Sequence, residues 1–87
     1  MKQIFEYEAE NFTHNQIVKL VKELEAKGIE VEYARSDATF SDTLLMVVTC
    51  DDEVAKQIKS RIWELNSGLF CNMYTITESQ LNGYLEE

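Results

Sequence analysis

At 87 residues, 45% of them apolar, with three Gly and no Pro, the chain is expected to form one domain with a single core and little room for an enclosed active site. Sixteen acidic residues against eight basic give a net charge of −8, the wrong sign for gripping a nucleic-acid backbone directly. No run of about 18 apolar residues occurs and no signal-like stretch follows Met1-Lys2-Gln3-Ile4, which excludes a spanning helix and points to a cytoplasmic protein.

Residues 3–9 alternate strictly, Phe5, Tyr7 and Ala9 on one side and Ile4, Glu6 and Glu8 on the other, and predict a half-buried strand. A helix over 14–27 is announced by Thr13 as N-cap with Gln16 as its capping-box partner, and by Phe12 with Ile17 as a hydrophobic staple. Its apolar face is Ile17, Leu20, Val21 and Leu24, and Gly28 stands where a glycine takes the left-handed conformation after a helix. Residues 29–35 alternate again, with Ile29, Val31 and Tyr33 expected inward and Glu30 and Glu32 outward; 36–42 read as a loop. Residues 43–49, apolar on both faces, predict a central strand whose outer face is partly covered. Asp51, Asp52 and Glu53 sit at the positive end of a second helix over 52–66, with Val54, Ala55, Ile58, Ile62 and Leu65 inward. A fourth strand is expected over 69–77, then a short helical turn within 78–87 capped by Thr77 and Gln80, with Gly83 weakening it.

The order βαββαβ predicts an α+β, single-domain, ferredoxin-like sandwich: a four-stranded antiparallel sheet in order 4-1-3-2 with two helices on one face. Charge is unevenly divided along it. Residues 13–27 sum to +1 and 51–66 to −1, whereas 1–12 sum to −2, 29–42 to −3 and 67–87 to −3, the last with no basic residue. The excess negative charge therefore falls on strands and loops, and Glu6, Glu8, Glu30 and Glu32 are expected to form a carboxylate surface on the open sheet face. Such a surface complements a basic partner. Asp37, Phe40 and Asp42 in the loop, and Trp63, which falls off the apolar face of the second helix, complete the expected partner-binding set.

No catalytic signature accompanies it, and the expectation is a non-enzymatic protein without cofactor or metal. His14, the lone histidine, opens a helix as in the phosphocarrier HPr, but neither Arg nor Pro follows it. Cys50 and Cys71 lack C-x-x-C spacing and a neighbouring histidine, and read as core residues. The Asp51-Asp52-Glu53 cluster lacks the spaced oxygens and Gly of a calcium loop. Strand 43–49 has neither the aromatic pair nor the basic residue of an RNA-recognition sheet.

By size and charge, the chain resembles the small acidic inhibitors with which phages block host nucleic-acid machinery, anti-restriction and anti-CRISPR proteins among them. That resemblance implies an inhibitor acting as a nucleic-acid mimic. The alternative is a ligand-sensing regulatory module resembling ACT-type domains and acting as a homodimer, which rests on the element order alone.

Overall fold

The structure, a computed structural model, describes residues 2–37, 43–65 and 71–86. Strand β1 (Gln3–Glu10) leads through Asn11, held at φ 59°, into helix α1 (His14–Ala26). The start of α1 is fixed as its sequence demands: Thr13 Oγ1 accepts from the Gln16 N–H, and the Gln16 side chain accepts from the Thr13 N–H at 3.0 Å. Replacing Thr13 by Ala is expected to lower unfolding free energy by about 1 kcal/mol in denaturant melts, with Thr13→Ser close to wild type. Gly28, at φ +81°, occupies the left-handed region just past the helix.

Strand β2 (Val31–Asp37), strand β3 (Thr43–Cys50), helix α2 (Asp52–Leu65) and strand β4 (Cys71–Ile76) follow. They complete a ferredoxin-like α+β fold whose four-stranded antiparallel sheet has the order β2-β3-β1-β4, to which helix α3 (Glu78–Leu85) is added. Thr77 and Gln80 form a second capping box at the start of α3. Leu69 and Phe70, expected within the fourth strand, lie outside the described residues, as does Gly68.

One buried cluster gathers Phe5, Tyr7 and Ala9 of β1 and Leu44, Met46 and Val48 of β3 with Ile17, Leu20 and Leu24 of α1 and Ala55, Ile58 and Ile62 of α2. Tyr7 is wholly buried there, its hydroxyl donating to the Ala55 carbonyl at 3.0 Å. Phe12 is also fully buried, as the staple requires. Arg61 of α2 reaches Glu23 of α1, its Nη2 at 2.7 Å and its Nε at 3.2 Å from the same carboxylate oxygen.

The opposite side of the sheet is not bare. Val47 is fully buried and Ile76 nearly so, yet neither belongs to the Tyr7 cluster. Both sit on the Glu6 side of the register, where Glu6 pairs with Val47 and with Tyr74, and Ile4 with Ile76. Helix α3 reaches this side: the Tyr84 hydroxyl donates to Glu6 Oε2, and the Tyr84 ring packs on Tyr33 with centroids 5.2 Å apart. The double-sided apolar character of β3 is thereby accounted for.

Strand β2 departs from the expected alternation. It runs over 31–37 rather than 29–35, so Ile29 and Glu30 precede it, while Ser36 and Asp37, expected in a loop, pair with Leu44 and Thr43. A bulge between Val31 and Tyr33 sets Val31 opposite Val48 but Tyr33 opposite Val47. An extra residue in one strand reverses every later side chain. Val31, Ala34 and Ser36 thus share the side of Tyr7, whereas Tyr33, expected inward with Val31, lies on the Glu6 side with Arg35.

Candidate functional site

The expected carboxylate surface is divided by β3. On the Glu6 side, the rungs read Tyr33, Val47, Glu6, Tyr74 and, next to them, Arg35, Leu45, Glu8, Asn72. Glu6 and Glu8 therefore lie two strands, about 10 Å, from β2. Glu8 is exposed, but Glu6 is half-buried beneath the Tyr84 hydroxyl. Glu30 and Glu32 belong elsewhere: with Lys2, Thr49, Cys50 and Asp51 they line an open depression of about 260 Å³ where β2 begins and β3 ends. The uninterrupted four-Glu face is corrected accordingly to two separate acidic patches. The bulge that displaces Glu32 and the late start of β2 that leaves Glu30 outside the sheet are the cause.

The remaining expected residues divide as follows. Trp63 is 55% exposed on α2, facing away from its buried residues Ala55, Ile58 and Ile62. Asp37 closes β2 opposite Thr43, while its side chain, Phe40 and Asp42 fall outside the described residues. The sequence reading missed Tyr74, 47% exposed on the sheet edge directly across from Glu6; Leu85, 53% exposed at the end of α3, is a further exposed apolar side chain. Tyr74 was hidden because it lies in a segment of mixed apolar character, where alternation alone does not distinguish an exposed ring from a covered one. Across the four strands and α3, Arg35 is the one basic residue, whereas β1 alone carries Glu6, Glu8 and Glu10.

The phenol of Tyr84 is pushed up to about 12, chiefly because its O–H donates to the Glu6 carboxylate, then by burial and by the charges of Glu6 and Glu8. Its ordinary value is 10.0, so the folded state prefers the protonated phenol. The stability linked to this preference is complete below pH 10 and disappears as pH rises toward 12. Absorbance titration of tyrosinate should therefore show a late step near pH 12 that is missing in Tyr84→Phe.

Chemistry at the thiols is opposed by their surroundings. Burial pushes up both cysteines, and the charges of Asp51 and Asp52 raise Cys50 further. Both are free and buried, as expected of core residues. Among the described residues, no group of three or more His, Cys, Asp and Glu side chains is arranged to hold a metal ion, and no helix is long and apolar enough to cross a membrane. A second groove, about 390 Å³, runs between α1 and β2 and is lined by Ile17, Val18, Val21, Val31 and Ala34, with charged residues along its margins.

No family model and no curated protein matches this chain. Solved structures do share its fold. An uncharacterized protein from Thermotoga maritima superposes with a TM-score of 0.65 at 10% identity, covering 88% of this chain and 100% of its own. A protein from Thermus thermophilus named for its likeness to PII signalling proteins superposes with a TM-score of 0.51 at 19% identity, covering 87% of each chain. At these identities the likeness establishes architecture and leaves activity to be argued from residues.

Proposed function

We propose that this chain is a non-enzymatic binding module that docks the acidic, aromatic edge of its sheet on a basic surface of another protein, in the manner of an inhibitor of a nucleic-acid-binding protein. The observation that carries the reading is the placement of exposed Tyr74 on edge strand β4, one rung from exposed Glu8 and opposite Glu6. An aromatic ring supplies contact area and a place to exclude water, and carboxylates supply long-range attraction and orientation. In this reading α1 and α2 lie together on the Tyr7 side of the sheet, and β4, which has no further strand beside it among the described residues, is the edge offered to the partner. Trp63 offers a second anchor on α2, and Glu30 with Glu32 a second acidic patch.

The test is affinity capture from nuclease-treated lysate of the source cells, comparing wild type with a variant carrying Glu8→Lys and Tyr74→Ala. Retention of a basic nucleic-acid-binding protein by wild type alone supports the reading. Equal retention by both proteins, or retention of nothing, overturns it.

A second reading, a ligand-sensing regulatory domain, is favoured by the apolar groove between α1 and β2. It predicts a gain in stability with a small ligand, roughly 2.7 kcal/mol at 100-fold excess over Kd, readable as a thermal shift across a metabolite panel.

A further inference from the structure

We infer that β2 is a self-pairing edge, against which a second copy of this chain docks antiparallel to join two four-stranded sheets into one. The inference stands on the sheet edge itself and is independent of what Tyr74 and Glu8 bind. β2 terminates the sheet, so among the described residues no further strand lies on the outer side of its backbone, and an edge of this kind is a template for pairing. The other edge, β4, is six residues long and runs beside Glu6 and Glu8 into Glu78. Two copies meeting at β4 would set carboxylates against carboxylates.

The β2 edge has the opposite character. Its groove against α1 is apolar at Ile17, Val18, Val21, Val31 and Ala34, and its charged lining residues are balanced, Lys22 and Arg35 against Glu25 and Glu32. On a chain of net charge −8, this balanced surface repels a like copy less than the acidic β4 edge does.

A two-fold interface must be self-complementary, each residue meeting its counterpart reciprocally. Centring the two-fold on Ala34 satisfies this. It sets Tyr33 of each copy beside Arg35 of the other on the Glu6 side of the joined sheet, placing a guanidinium next to an aromatic ring twice. On the Tyr7 side it sets Ala34 against Ala34, the smallest pairing available, so the two α1 helices can close over the seam. Val18, 38% exposed and on the rim of the groove, is then covered. The bulge at Val31 and Tyr33 matters here, because without it Tyr33 and Arg35 would face the core.

Sedimentation equilibrium of the full chain tests the proposal. The expected mass rises with concentration to twice the chain's 10.1 kDa. Val18→Glu and Arg35→Glu should each weaken the dimer about 10-fold or more while keeping the wild-type far-UV circular dichroism, whereas Glu8→Lys should leave the dimer intact. Amide hydrogen exchange on the wild-type chain provides a readout that needs no variant: protection should rise with concentration in β2 and stay constant in β4. A single-chain mass at every concentration, a dimer that survives both edge substitutions, or concentration-dependent protection in β4 instead of β2 would each overturn it.

Discussion

Replacing Tyr7 by Ala is expected to cost about 3–5 kcal/mol of unfolding free energy, the range for removing a large ring from a packed core. A domain of this size has a total stability of only about 4–13 kcal/mol, so the variant should be largely or wholly unfolded in mild denaturant. Two features concentrate the loss at this position. The ring is fully buried in the middle of β1, a strand flanked by β3 and β4, and its hydroxyl ties that strand to the first turn of α2 through the Ala55 carbonyl. Tyr7→Phe separates the two contributions. It keeps the ring and removes only the hydroxyl bond, and because the Ala55 carbonyl also lies within a helical turn, the cost should be about 1 kcal/mol. Denaturant melts of the three proteins with unchanged slope would place the loss in the folded core. A Tyr7→Phe variant as destabilised as Tyr7→Ala would show instead that the hydrogen bond, not the ring, holds α2 on the sheet.

What the sequence made legible and what it hid have different physical origins. The capping boxes at Thr13 and Thr77, the left-handed Gly28 and the alternation of β1 depend on residues a few positions apart, and each appears in the structure where the local pattern places it. The sheet order followed from element order because right-handed crossovers leave few alternatives. The candidate surface was less legible, since it depends on pairings remote in sequence. A bulge is defined by the facing strand, and nothing within Val31-Glu32-Tyr33 announces that β3 will leave Glu32 without a rung of its own. The contact of Tyr84 with Glu6 spans 78 positions and makes an outward glutamate of β1 into an acceptor beneath α3. Trp63 falls off the apolar face in the sequence and is exposed in the structure, because a helix carries its own reference frame: once Ala55, Ile58 and Ile62 are assigned to the core, the opposite face follows.

Because the acidic residues form two patches, charge reversal can distinguish a docking surface from solvation. One variant combines Glu6→Gln with Glu8→Lys, retaining an acceptor for the Tyr84 hydroxyl; the other combines Glu30→Lys with Glu32→Lys. The second removes more negative charge than the first. If attraction to a basic partner depends only on net charge, the Glu30 and Glu32 variant should therefore bind more weakly. If the partner docks at the edge beside Tyr74, the Glu6 and Glu8 variant should lose about 100-fold or more in affinity, while the Glu30 and Glu32 variant mainly slows association, by about 10-fold. Tyr74→Ala should cost at least about 2 kcal/mol, roughly 30-fold in Kd, and should act on dissociation because the ring contributes only after contact. Salt supplies the cross-check. The Debye length contracts from about 10 Å at 0.1 M to about 3 Å at 1 M, so the wild-type association rate should fall steeply over that range while the Tyr74→Ala defect persists. A partner whose association is indifferent to salt, or that is bound equally by wild type and the Glu6 and Glu8 variant, would relegate those carboxylates to solvation and direct attention to Trp63 and the groove between α1 and β2.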